Sequence, residues 1–203
     1  GHSWKPKEQI QIQAKTTINL SKTRLDFTPS LSSETLFVDG IIETRTNERP
    51  INDSIIEVFE VPFARDQKFR TERYQLQAEM NTLVDSNLNW KCSVSWSRFQ
   101  RTKTSALKTL STGESSPLTD ISENDTSIFD LSFLRITRSQ KLNDHIEFNT
   151  GAELKHEVGF GKRILNKRQS ITNISLFSSA EIHFSKWTLR PGFRFIYNTK
   201  YIN

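Results

Sequence analysis

Residues 145–160, "HIEFNTGAELKHEVGF", sort their side chains by parity along most of their length. Ile146, Phe148, Thr150, Ala152, Leu154, Val158 and Phe160 fall on one parity, and Glu147, Asn149, Glu153, Lys155 and Glu157 on the other. Successive side chains of a strand point to opposite faces, so this run predicts a strand with one greasy and one charged side. The pattern repeats in "QIQIQAKTTINLSKT", "ERYQLQAEMNTLV", "NWKCSVSWS" and "WTLRPGFRFIYNTKY", and more weakly in "ITNISLFSSAEIHF", where Ile171 and Phe177 fall on the polar parity. Several runs exceed the usual five or six residues of a soluble strand. They suit the roughly 9–11 residues that a tilted strand needs to cross a hydrocarbon layer. Helical periodicity is nearly absent. The expected class is therefore all-β, an antiparallel up-and-down meander forming part of a transmembrane β-barrel.

Composition agrees with strands that meet a core on neither face. Hydrophobic residues make up 34% of the chain, against the roughly 45–50% of an average soluble domain on a slightly different count. Yet there are 14 Phe and 4 Trp, which a disordered chain would lack. A barrel with a polar lining fits both facts, because half of its strand residues never meet apolar surroundings. The net charge of +5 is scattered, with no basic block, which argues against a nucleic-acid partner. The single Cys92 excludes an internal disulfide framework and any multi-cysteine metal site. No run of about 18 apolar residues predicts a membrane helix; a transmembrane barrel leaves no such signal. "GHSWKPKEQ" does not read as a signal peptide, so an exported protein would begin upstream of it.

The connections come in two kinds. Short polar turns are expected at 84–89, 139–144 and 184–186, with "WKPKE" at 4–8 as another. Longer irregular stretches lie at 104–127 and 161–169. In a meander these alternate between two rims, as the short periplasmic turns and long outer loops of outer-membrane barrels do. Trp4, Trp90 and Trp187 then sit near the short-turn rim, where an aromatic girdle is expected. Residues 36–63 read either as two more wall strands or as one hairpin rising beyond the membrane, giving roughly 8–10 strands in all. Pro62 argues against a central strand at its own position. Gly151 and Gly192 lie on the inward parity, where a close neighbour leaves no room for a side chain.

Catalytic signals fail on inspection. "GFGKR" at 159–163 lacks phosphate-loop spacing, and His156-Glu157 has no second His four residues on. His145 and His183 flank turns without metal-ligand spacing. The expectation is no catalytic residue, no metal site, no cofactor and no enzyme activity. Candidate ligand contacts are Arg98, Arg101 and Lys103, a basic stretch rising toward the long-loop rim that could attract anionic ligands or lipopolysaccharide phosphates. Inward Glu153, Lys155, Arg190 and Arg194 are read as structural lumen residues, pairing among themselves or with an interior partner.

"GAELKHE" at 151–157, the "LFSSAE" strand at 176–181 and "LRPGFRFIYNTKY" at 189–201 together resemble the barrel of TonB-dependent outer-membrane receptors, siderophore- and cobalamin-type receptors in particular. The likeness is clearest from His145 onward and looser from Trp4. It implies a larger barrel of roughly 22 strands, plugged by a globular domain. It also implies TonB as energy source, a small-molecule ligand such as siderophore-iron or cobalamin as cargo, and the bacterial outer membrane as location. On that reading residues 1–203 are a single barrel segment, with the plug and the C-terminal strands outside it. The alternatives are a non-gated porin-like channel and a soluble β-sandwich or adhesion module, in which the aromatic faces would pack on one another.

Overall fold

The computed structural model describes residues 7–40, 42–52, 55–119, 124–162, 164 and 168–202. The elements are β1 (Glu8–Gln13), β2 (Thr16–Leu20), β3 (Thr23–Val38), β4 (Ile42–Asn52), β5 (Ile55–Asp85), β6 (Leu88–Thr109), β7 (Ser115–Pro117), β8 (Asp125–Asn143), β9 (Ile146–Phe160), β10 (Arg168–Phe184), β11 (Trp187–Leu189) and β12 (Gly192–Ile202). All twelve belong to one sheet, ordered β1-β3-β5-β6-β8-β9-β10-β11. β2 pairs with β3, β12 with β10, β4 with β5 and β7 with β6. β1 with β2, and β11 with β12, are halves of two interrupted strands. The eight-membered path therefore gives eight wall strands in an antiparallel meander, open at both ends.

Two prolines account for the interruptions. Pro29 lies opposite the break at 14–15, where its carbonyl accepts from Ala14 at 3.1 Å; Pro191 lies within the break at 190–191, and its carbonyl accepts from Ala180 at 2.9 Å. A residue without an N–H is tolerated where the ladder is already irregular.

The chain divides into two compact units, 1–10 with 33–71 and 101–127, and 11–32 with 72–100 and 128–203. In the first unit β4 pairs with residues 55–64 of β5, from Asn52↔Ile55 to Ile42↔Ala64, and with no other described strand. Of the two apolar stretches within 36–63, the second thus forms a hairpin with the polar segment 42–52, while Leu36–Val38 complete β3. Pro62 lies inside the hairpin, opposite Thr44, which departs from the expectation that it would break a central strand. N and O of a residue in an antiparallel strand point the same way. Pro62's carbonyl accepts from Leu110 at 3.1 Å, just past the end of β6, so its missing donor faces the place where that neighbouring ladder stops.

The second unit holds the short-turn rim. Two-residue loops at 21–22, 86–87, 144–145 and 185–186 join consecutive strands. Each of the first three is tied to the next hairpin by a backbone bond of 2.8 Å: Leu83 N–H to Lys22 O, Lys141 N–H to Asn87 O, and His183 N–H to His145 O. Ser185 has a φ of 47°, the positive value that the favoured type I′ and II′ hairpin turns take at their first position. The turn at 21–22 was not anticipated, because "INLSKTRLD" carries neither Gly nor Pro. It ends β2; the turn expected at 4–8 falls largely outside the described residues. Trp4 lies outside the described residues. Trp90 and Trp187 lie beside short turns on the apolar parity, Trp187 with 80% of its surface exposed.

The registers place the parities as expected. Tyr197↔Ile174, Ile174↔Leu154 and Leu154↔Leu134 form one row across four strands, and Phe195↔Leu176, Leu176↔Ala152 and Ala152↔Ile136 form the next. No described residue covers these rows. Phe193, Phe195 and Tyr197 are 69%, 60% and 55% exposed, and among the described residues only Ala64, Val158 and Ala180 are buried and apolar. A β-sandwich would bury one face of each strand against a second sheet; here there is one sheet, and none of the described aromatic side chains is buried.

Candidate functional site on the inward face

The polar parity of the second unit carries the charged groups. Arg194 donates to Glu153 at 2.7 Å and to the hydroxyl of Ser175 at 2.9 Å. The registers Arg135↔Glu153, Glu153↔Ser175 and Ser175↔Ile196 set these residues side by side, and Ser175 is 3% exposed beneath them. Arg190 grips Glu181 through two bonds of 2.9 and 3.2 Å, with His183 Nε2 3.2 Å from the same carboxylate and His183 Nδ1 3.1 Å from Thr188. Lys155 pairs with Glu157 at 2.8 Å. All four residues read as inward from the sequence therefore lie on one face in ion pairs with neighbours of the same sheet.

Gly151 explains an apparent irregularity. Phe177, which breaks the alternation of β10, turns inward opposite Gly151, and a Cβ on that glycine would overlap its ring. Arg135 stacks on the ring at 5.0 Å from its centroid. An aromatic ring laid over a cross-strand glycine covers backbone that is otherwise bare. Gly192 is also crowded, with Ser178 O and Ser179 Cβ each 3.3 Å from where its Cβ would stand.

Two clefts open on this face. One, of about 520 Å³, lies across β5, β6 and β8 among Gln77, Glu79, Asn89, Lys91, Arg135 and Thr137. Gln77 donates to Glu79 at 3.0 Å, whereas the Oδ1 of Asn89 is buried without a hydrogen-bond partner. The other, of about 370 Å³, lies among Phe129, Leu131, Gly159, Ile164 and Ile171 and is mostly apolar. Neither cleft was legible from the sequence, because the first joins β8 to the distant β5 and the second depends on the register of β8, β9 and β10.

The basic stretch divides by parity. Arg98 shares the outward parity of Trp90, Val94 and Trp96; it grips Asp130 with bonds of 2.7 and 2.8 Å and stands 5.7 Å from the Trp96 ring. Charge-assisted, two-point pairing of this kind holds a guanidinium in one orientation. Arg101 and Lys103 belong to the first unit, where Arg101 stacks 4.6 Å from the Phe69 centroid.

No protein-family profile matches the chain, and no curated protein matches it. Among solved structures, the chain is similar to the outer membrane transporter YddB from Escherichia coli. The TM-score is 0.51 at 11% identity, over 95% of this chain and 34% of that one. At this identity the likeness is one of fold: an outer-membrane barrel wall. The chain spans about a third of the length of that transporter.

Proposed function

We propose that this chain is part of the barrel wall of an outer-membrane active transporter that takes up a scarce small ligand, siderophore-bound iron or cobalamin being the leading candidates. In the full-length protein a plug domain fills the lumen and TonB supplies the energy. The role is transport and not catalysis. The observation that carries this reading is the two-faced sheet: rows such as Tyr197–Ile174–Leu154–Leu134 stand exposed on one side, while Arg194–Glu153 and Arg190–Glu181 pair on the other. Lys or Arg costs about 2–4 kcal/mol on the lipid side of a barrel and little in a wet lumen, so this sorting suits a bilayer. The fold likeness to an outer membrane transporter supports the same reading.

The location is tested by separating the membranes on a sucrose gradient and blotting for the chain. Recovery in the outer-membrane fraction, with a band that migrates faster before boiling than after, is expected; recovery in the soluble fraction refutes the proposal. Energy coupling is tested by the uptake of labelled ferric siderophores and cobalamin with and without TonB. Uptake of one of them that depends on this protein and vanishes without TonB is expected. Uptake indifferent to TonB would identify an ungated channel instead.

A further inference from the structure

The upper part of the inward face in the second unit departs from the rest of that face. Elsewhere on that face an apolar side chain such as Phe177 stands against charged neighbours, Arg194 beside it and Arg135 stacked on it, but around the smaller cleft Phe129, Leu131 and Ile171 come together, with Ile164 from the loop beyond β9. Gly159 leaves bare backbone between Phe129 and Gln169, its partners on either side. A Cβ there would stand 3.2 Å from Ile164 Cδ1 and 3.3 Å from Phe129 Cε1. The cleft, at about 370 Å³, falls within the range of small-molecule sites.

The polar groups around it are unevenly satisfied. Glu157 at its edge is neutralised by Lys155 at 2.8 Å. Phe129 leans on Phe99 with centroids 6.3 Å apart and planes at 46°, and Arg73 lies 5.6 Å from the Phe99 centroid. Arg73 is exposed and has no carboxylate partner among the described residues. An apolar pocket, an aromatic pair and an uncompensated guanidinium thus follow one another along the inward face.

We propose that this cleft binds a small molecule that combines a flat apolar ring with an anionic group. The ring lodges among Phe129, Leu131 and Ile171, and the anion lies toward Arg73. Tilted and edge-on ring contacts favour an aromatic guest over an aliphatic one, and a guanidinium without a carboxylate favours an acid over a neutral or cationic ligand. The inference rests on the transporter reading and narrows the chemistry of its cargo.

The test is equilibrium dialysis of naphthalene-2-sulfonate against outer-membrane vesicles that carry the chain, with vesicles lacking it as background. Naphthalene-2-methanol and methanesulfonate serve as the half-ligands. Saturable binding of the sulfonate is expected. Ile171→Asn weakens it about tenfold or more, since the pocket loses apolar contact. Arg73→Gln weakens the sulfonate about tenfold and leaves the neutral alcohol unchanged. Each variant is first checked for the band that shifts on boiling; if Ile171→Asn fails that check, Ile171→Val probes the same contact with a smaller loss. Binding no greater than background, or binding indifferent to both Ile171 and Arg73, overturns the inference. A chain found in the outer membrane without such binding defeats this site alone, whereas a soluble chain that still binds defeats the transporter reading and keeps the site.

Discussion

Replacing Leu176 with arginine distinguishes lipid from water as the surroundings of the apolar face. Leu176 sits at the centre of the row Phe195–Leu176–Ala152–Ile136 and is 53% exposed. If that exposed half touches hydrocarbon, Leu176→Arg places a guanidinium in the apolar band at about 2–4 kcal/mol. The substitution also removes part of the roughly 1.5–3 kcal/mol that a leucine side chain gains on leaving water. If the face meets water, the change is an ordinary surface substitution, within about 0.5 kcal/mol of neutral. The two cases differ by more than tenfold in the folding equilibrium, at about 1.4 kcal/mol per factor of ten. The assay is urea titration of the full-length protein folded into short-chain phosphatidylcholine vesicles, followed by tryptophan fluorescence. A midpoint shift equivalent to less than about 0.5 kcal/mol, with an unchanged slope, would refute the assignment of this face to lipid.

Other outcomes follow from the inward face and from the lack of a core. Gly151→Leu drives a side chain into the Phe177 ring and against the Ile136 carbonyl and destabilises by about 1–3 kcal/mol; adding Phe177→Ala recovers the part of that loss due to the ring and not the part due to the carbonyl in the same urea titration, and an additive double variant contradicts the packing. Exchanging the charges of Arg194 and Glu153 restores the urea midpoint that either single reversal lowers. The effect is under about 1 kcal/mol because Arg194 is 48% exposed, and equal midpoints for the single and double reversals would show the pair to be idle. In water without detergent or lipid, a sheet with three buried apolar side chains among its described residues does not hold a stable fold; a well-dispersed proton–nitrogen NMR spectrum under those conditions would contradict this.

The meander and its two faces were legible because period-two sorting is local: Phe193, Phe195 and Tyr197 declare their side within five residues. What the sequence withheld was the reason for each exception. Phe177 looked misplaced until the register set it over Gly151, and Ile171 looked misplaced until it joined Phe129 and Leu131 in one cleft. Arg98 could be assigned to the outward side by counting from Trp90, but its partner Asp130 lies 32 residues away and only the tertiary arrangement supplies it. The buried Oδ1 of Asn89 carries no sequence signal, since an asparagine beside a turn is ordinary. The loop at 21–22 was missed for the complementary reason, being made without the residues that usually mark such reversals.

The breaks at 14–15 and 190–191 fall in the two outermost strands of the sheet. Uninterrupted segments there are short: six residues in β1, five in β2, three in β11 and eleven in β12. A strand laid along either border would meet a gap after eleven residues at most, and one register slip would misalign it on the far side.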